Sequence, residues 1–344
     1  MSRSVPCARP LLVLAGLTVA LSFASPVAAQ ELNLYTTREP GLIQPLIDAF
    51  TKSTGVKVNS IFLKDGLAER VASEGQRSPA DLLMTVDVGA LIDLVDKGLT
   101  QPTSSPTLER AIPANLRGAK GEWFSLSMRA RTVYVQKDLP LTSLTYEQLS
   151  DPRWKGKVCT RAGQHPYNTA LVAAHIAHHG EARTEQWLTG LKANLARAAT
   201  GGDRDGARDI MGGICDLALG NSYYIGLMRS GAGGADQKAW GSAIKVILPT
   251  FAGGGTHVNV SGAAVARYAP NRAAAVRFLE YLVSDEAQKI YAEANYEYPV
   301  KAGATVHPLI AALGAIKVDP LALTEIAKNR AAASRLVDKV GFDR

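Results

Sequence analysis

The stretch ELNLYTTREPGLIQPLIDAFTKSTGVKVNSIFLKDGLAERVASEGQRSPADLLMTV, Glu31 to Val86, decides the fold class. Glu31 to Tyr35 alternates as a strand, and Leu42, Ile43, Leu46, Ile47 and Phe50 then recur at helical spacing. Pro45 is tolerated in a first turn, so the helix is expected to start close to it, and Gly55 suits its C-cap. Val56 to Leu63 reads as a second strand, Leu67 to Glu74 as a helix, Asp81 to Val86 as a buried parallel strand, and Ala90 to Lys97 as another helix closed by Gly98. Strands alternating with helices predict a parallel sheet covered by helices, an α/β fold.

Outward from that unit the pattern changes. Trp123 to Gln136, WFSLSMRARTVYVQ, is a long alternating run, either a strand pair or one strand crossing between lobes. Beyond it, Leu144 to Ser150 reads as a small helix, Lys157 to Arg161 as a strand, and Tyr167 to His179 and Thr184 to Ala193 as helices. Asp216 to Leu219 is a short buried strand before a Gly220-Asn221-Ser222 loop, and Ala243 to Leu248 is another strand. Val258 to Ala266 alternates again and would return the chain to the first lobe. A helix over Arg272 to Leu282, one capped by Ser284, and a final one from Asp319-Pro320 to about Val340 complete the pattern. The chain thus divides into a first lobe, 30–130 with 262–344, and a second, 131–261. Two crossings make a hinge suited to closure on a ligand.

Residues 1–29 read as a signal peptide: Arg3 and Arg9, the apolar run Leu11 to Ala24, Pro26, then Val27-Ala28-Ala29. The run is shorter than the ~20 apolar residues a membrane-spanning helix needs, which weighs against an anchor. A periplasm is the simplest destination, reached by a mature chain of about 315 residues, enough for two domains. Losing Arg3 and Arg9 lowers the net charge from +7 to +5. The basic residues are dispersed, so nucleic-acid binding is disfavoured and an anion-receiving cleft is a better use of the charge. Cys7 leaves with the signal, and the remaining pair, Cys159 and Cys215, is expected to form a disulfide in an oxidising compartment.

Enzyme signatures fail. There is no G-x-S-x-G, H-E-x-x-H or P-loop, and Gly253-Gly254-Gly255 lacks a dinucleotide context. His175 and His179 stand at a metal-compatible i, i+4 spacing, but Ile176 occupies the place of the glutamate; a packed or surface face is the preferred reading. The tyrosines carry more. Tyr223-Tyr224 follows a short strand, and Tyr167 follows the strand Lys157 to Arg161, both where open α/β lobes bind ligands. A single tyrosine is more often a packed ring with a bonded hydroxyl. Three at equivalent positions suit a trivalent cation, because phenol, with a free pKa of about 10, ionises only against a strong Lewis acid. Fe³⁺ is the hard cation that favours this ligand type, and three phenolates neutralise it. A small bidentate anion could complete the octahedron. Arg38 follows the first strand, and Arg129 and Arg131 alternate on the crossing strand so that both could share a face, although interlobe salt bridging is an equal role for each.

Six stretches resemble a known family: YTTREPGLIQPLIDAFTKSTGVKV (Tyr35 to Val58), ADLLMTVDVGAL (Ala80 to Leu91), WFSLSMRARTVYV (Trp123 to Val135), WKGKVC (Trp154 to Cys159), PYNTALVAA (Pro166 to Ala174) and GICDLALGNSYYIGLM (Gly213 to Met228). The sequence is similar to the periplasmic ferric-iron-binding proteins of ABC transporters. The resemblance implies a two-lobed class II periplasmic-binding-protein fold, two Rossmann-like lobes joined by crossing strands, with Tyr167, Tyr223 and Tyr224 as iron ligands. Many relatives place a His or Tyr just after the first strand, whereas this chain reads Thr37-Arg38-Glu39-Pro40-Gly41. That departure is like the subset using three tyrosines and a synergistic carbonate or bicarbonate, with Arg38 and Arg129 holding the anion and Arg131 as a third. Glu39 could instead bind the metal. The implied protein is a monomeric, non-enzymatic receptor that delivers Fe³⁺ to an ABC permease in the inner membrane. Alternatives are the same fold taking an oxyanion, phosphonate or small organic acid without metal, a secreted hydrolase, or a sensor.

Overall fold

The computed structural model describes Met1, Ser2 and residues 31–344; the expected signal peptide lies outside the described residues. The chain runs β1 (Glu31–Thr36), α1 (Pro40–Thr54), β2 (Lys57–Phe62), α2 (Leu67–Glu74), β3 (Leu82–Thr85), α3 (Val88–Asp96), α4 (Pro106–Ala111) and β4 (Phe124–Gln136). It continues through β5 (Val158–Cys159), α5 (Pro166–Ala193), α6 (Asp203–Met211), β6 (Leu217–Asn221), α7 (Tyr223–Ser230), α8 (Ala235–Ser242), β7 (Ile244–Ile247) and β8 (Val258–Val265). Last come α9 (Arg272–Leu282), α10 (Asp285–Asn295), β9 (Tyr298–Pro299), α11 (Pro308–Ala311), α12 (Leu323–Ala327) and α13 (Arg330–Lys339). No described helix is long and apolar enough to cross a membrane.

The strands lie in the order β2-β1-β3-β8-β4-β6-β5, with β7 and β9 also paired to β4. β1 is parallel to β2 and β3, as the βαβ pattern requires, and all four residues of β3 are buried. The long run 124–136 is a single strand that serves two sets of partners. Its residues up to Ala130 pair with β8, with Ser127 and Met128 also meeting β9. From Arg131 onward it pairs with β6 and β7. β5 is parallel to β6, and each is followed by a helix. α13 and α12 pack on α5, and α12 also touches α3.

Several elements differ from the sequence pattern, each for a physical reason. α1 begins at Pro40, not near Pro45; Pro45 sits inside the helix on its exposed side, opposite the buried Ile43, Leu46, Ile47 and Phe50. The carbonyl of Gly41 that loses its helical partner there is at an exposed residue, where water can satisfy it. The two helices expected over 167–193 are the arms of α5, broken at Gly180 by φ 78° and ψ 166°. The expected small helix at 144–150 is a short 3₁₀ turn, Glu147–Ser150.

α6 and α8 were not legible. The buried side of α6 is made of Gly206, Ala207, Ile210 and two aspartates, and α8 buries Gly241 alone, so neither shows an apolar stripe. Asp319 does not cap a long final helix. Its carboxylate instead accepts from the Gly255 and Leu321 amides and contacts His178 Nε2, and the C-terminal segment forms two helices, α12 and α13.

The disulfide joins Cys159 in β5 to Cys215 just before β6, with Cα atoms 6.0 Å apart and a sequence separation of 56. It ties together the two strands that lead to the tyrosines. The chain-entropy cost of opening that loop predicts that a Cys159→Ala/Cys215→Ala double variant loses up to about 4 kcal/mol of unfolding free energy. Urea denaturation of oxidised wild type and variant would measure it; a difference below about 1 kcal/mol would show that the bridge does not constrain the unfolded chain as that model requires.

Candidate functional site

β6 extends through Asn221, so the expected Gly220-Asn221-Ser222 loop contracts to Ser222. This brings Tyr223 and Tyr224 into the first turn of α7, directly at the strand's end. The turn is pinned to the crossing strand: the Ser222 amide donates to the Ala130 carbonyl at 3.0 Å, and the Ala130 amide donates to Ser222 Oγ at 3.1 Å. Gly220 is required beside it, because a Cβ there would stand 2.2 Å from the Tyr134 ring. The Tyr134 hydroxyl donates to the Asn221 carbonyl at 2.7 Å. Ile225 and Met228 hold α7 to the core, alongside Ile210 of α6.

Tyr167 arrives by a matching route. It is the second residue of α5, after Pro166 at the first position, where proline costs no helical bond. His165 Nδ1 accepts from the Tyr167 amide at 3.2 Å, and Asn168 ties the preceding loop by donating to Thr160 Oγ1 and the Arg161 and Ala162 carbonyls.

The three phenols converge. The Tyr167 and Tyr223 hydroxyls are 3.3 Å apart, and the Tyr223 and Tyr224 rings lie with centroids 4.1 Å apart, tilted by 37°. Burial, reinforced by the neighbouring tyrosines, holds the Tyr223 phenol well above its ordinary pKa; burial also raises Tyr224. Both are therefore protonated at neutral pH unless a cation displaces the proton. Arg161 lies 5.1 Å from the Tyr167 ring and Arg204 lies 5.5 Å from the Tyr224 ring.

The tyrosines face a cleft of about 440 Å³. Its opposite wall carries Thr37, Arg38 and Glu39 after β1, Val86 after β3, Arg129 of β4, and Asn295-Tyr296-Glu297 at the end of α10. Arg38 and Arg129 meet here as their positions suggested, but they are not free. Arg38 Nη2 donates to both Glu297 carboxylate oxygens at 3.2 Å and to Ser261 Oγ. Arg129 donates to the Val86 carbonyl and, at 3.4 Å, to Ser261 Oγ.

Arg131 does not line the cleft. Between Arg129 and Arg131 the strand exchanges β8 for β6, so the arginines stand opposite Asn259 and Asn221 respectively. Arg131 is buried behind the tyrosines, donating to Asp203 Oδ2 at 2.7 Å, Asn221 Oδ1 at 3.1 Å and Asn168 Oδ1 at 2.5 Å. Strand alternation alone could not show this change of partner.

Glu297, Asn295, Arg204 and Asp203 were missed by sequence reasoning. A glutamate inside NYEYPV carries no sign that it is buried, and Arg204 and Asp203 belong to the unrecognised α6. Tyr296 is the one non-glycine residue described with positive φ, 55°, and its ring occupies the space that a Cβ at Gly226 of α7 would fill. Asn295 Oδ1 and Nδ2 are both buried without a partner. The histidines are structural: His175 stacks on Trp187 and bonds Thr184, His178 contacts Asp319, and His179 contacts Glu147. Among the described residues, no group of three or more His, Cys, Asp or Glu could hold a metal, which leaves the phenols as the candidate donors.

Residues 77–311 match the family model described as bacterial extracellular solute-binding protein. The chain belongs to that family. This solute-binding protein is 41% identical over 318 residues to iron uptake protein A2 of Synechocystis, covering 91% of this chain and 90% of that one. Among solved structures, the Bordetella ferric binding protein superposes with a TM-score of 0.89 at 63% identity, covering 92% of this chain and 100% of that one. An IdiA/FutA protein of Trichodesmium, solved with iron and citrate, gives 0.87 at 41% identity over 91% and 99%. Such neighbours are two-lobed periplasmic binding proteins, and the α/β fold of this solute-binding protein is theirs.

The Arg131–Asp203 pair makes a stability prediction for this solute-binding protein. Asp203 also accepts from the Asn221 amide at 2.9 Å and faces Arg161 at 3.4 Å. Asp203→Ala leaves Arg131 buried without its carboxylate and is expected to cost about 3–5 kcal/mol. An unchanged urea midpoint would contradict the burial of this pair.

Proposed function

We propose that this chain is the ferric-ion receptor of an ABC importer, binding Fe³⁺ through Tyr167, Tyr223 and Tyr224 with a small oxyanion on Arg38 and Arg129. The observation that carries the reading is the convergence of three phenols at one cleft, with the Tyr167 and Tyr223 hydroxyls 3.3 Å apart. The names of its relatives support it, since they are iron uptake and ferric-binding proteins. Two loops from strand ends aim the donors before the metal arrives, which lowers the ordering cost of binding. Fe³⁺ replaces the phenol protons, and the three phenolates match its charge. A carbonate or bicarbonate would supply two further oxygens from the arginine side. Glu39, at the same wall, is the alternative protein donor.

In this reading residues 30–130 and 262–344 form one lobe and 131–261 the other, divided where β4 changes partners. The packing of α13 and α12 on α5 makes the C-terminal segment a bridge between them. Closure would exclude water from a hydrolysis-prone cation. The monomer would reach the periplasm through its signal peptide and pass iron to an inner-membrane permease without catalysing a reaction. Glu297 already matches much of the arginine charge, which weighs against the rival in which an oxyanion binds without metal.

Titrating the mature protein with ferric citrate, with and without bicarbonate, is expected to raise a visible phenolate-to-iron charge-transfer band. Tyr223→Phe/Tyr224→Phe should abolish the band and weaken iron binding well beyond the roughly 10–100-fold typical of losing an outer partner of a ligand. A colourless wild type would eliminate the ferric-phenolate assignment.

Proton counting gives a separate check. Because Tyr223 and Tyr224 have raised pKa values, they enter the complex as phenols and must ionise, so binding weakens as pH falls. Competition against a ferric chelator of known protonation, measured across pH, should show the protein losing iron as pH falls more steeply than the chelator's own protonation explains. A ratio of affinities that follows the chelator alone would show that the phenols do not ligate.

A further inference from the structure

The two arginines that would receive an external anion are already occupied by a carboxylate of the chain itself. Arg38, Arg129 and Glu297 are 2%, 4% and 5% exposed. Arg38 Nη2 is 3.2 Å from each Glu297 oxygen, and Arg129 Nη1 is 3.9 Å from Oε1. Ser127 Oγ donates to Oε2, and Ser261 Oγ accepts from both guanidinium groups. Burial pushes the Glu297 carboxyl up, but Arg38, Arg129 and Ser127 outweigh it and hold the group below the ordinary carboxylate range. A carboxylate presents the same planar pair of oxygens as a small oxyanion. It arrives on the turn whose backbone at Tyr296 is left-handed, a conformation retained only where surroundings impose it. Meanwhile Nε of both Arg38 and Arg129 has no partner, so the guanidinium groups keep unused donors.

We propose that Glu297 is a built-in counter-anion of the cleft, competing with the external oxyanion for Arg38 and Arg129 and so setting the concentration and charge of anion that the site accepts. The inference rests on the ferric reading for the role of that anion, while the competition itself does not need iron. Two guanidinium groups alone would attract a dianion. With Glu297 ionised, the trio retains a single positive charge, which suits a monoanion. Glu297 also keeps the arginines from being buried uncompensated before an anion arrives. It is thus a specificity-determining residue that need not touch the metal.

The test follows the charge-transfer band against bicarbonate and against oxalate in wild type, Glu297→Gln and Glu297→Asp. Glu297→Gln is expected to lower the half-saturating bicarbonate concentration roughly tenfold and that of oxalate, a dianion, further still. Glu297→Asp keeps the charge but withdraws it by one methylene, and should fall between; it decides the matter if the glutamine variant does not fold. Half-saturation unchanged within about twofold in the folded variants, or raised, would overturn the proposal. A wild type without any band would instead remove the ferric reading, and the competition is then read without iron. In that arm oxalate should raise the melting temperature of the Glu297 variants more than that of wild type, and equal shifts would overturn it.

Discussion

Two hydrogen bonds between Ala130 and Ser222 pin the turn that starts α7 to the crossing strand, and the placement of both cleft walls depends on that point. They sit where β4 gives up β8 as a partner and takes β6, so a single peptide position joins the two halves of the sheet. On one side of it Arg129 faces the cleft; on the other Arg131 runs behind the tyrosines. Directly across it lies the turn that starts α7 and presents Tyr223 and Tyr224. Donor wall and arginine wall are therefore indexed to the same strand, and a shift of β4 by one residue would move both, since alternation reverses the face of every side chain.

The electrostatics follow the same division. Three arginines are buried around the crossing, and each has a carboxylate: Glu297 for Arg38 and Arg129, Asp203 for Arg131. Buried ion pairs add little net stability over apolar packing, but removing one partner is costly, so their consequence is geometric. Asp203 is the plainest case. It accepts from Arg131 and from the Asn221 amide, and so joins the N-terminus of α6, the end of β6 and the crossing strand in one contact set. Because the tyrosines start at the next turn, a group that never touches the cleft fixes where their helix begins.

Sequence alone carried much of this. The βαβ repeat over 31–86, the disulfide partners and the strand-end positions of Tyr167, Tyr223 and Tyr224 are all local or periodic signals, and the structure has each of them; the run 123–136 read as extended, and the structure makes it one strand where a pair was equally open. What stayed hidden depends on partners distant in the chain. Arg129 and Arg131 obey the alternation that suggested a shared face, yet the exchange of β8 for β6 between them sends the second to a different environment. Glu297 meets Arg38 across 259 residues, a pairing with no local signature. α6 escaped notice because its buried side is glycine, alanine and aspartate with a single large apolar residue, Ile210, too little for an apolar stripe.

The placement of cations around the phenols bears on why tyrosine suits such a cleft. Burial raises Tyr223 and Tyr224, so these two phenols resist ionisation and add no standing negative charge of their own for a divalent ion to exploit. Arg161 acts against burial at Tyr224 and favours its phenolate once the proton leaves. As ligands in the proposed site, these phenols would admit a cation only in exchange for protons, and that exchange grows more favourable with cation charge. Carboxylates, ionised at neutral pH, would offer standing charge to calcium and magnesium as well as to iron. Of the two carboxylates at the cleft wall, Glu297 is committed to the arginines and Glu39 is exposed to solvent. In the proposed site, selectivity for a trivalent ion would come from proton competition at the phenols rather than from the size of the cleft.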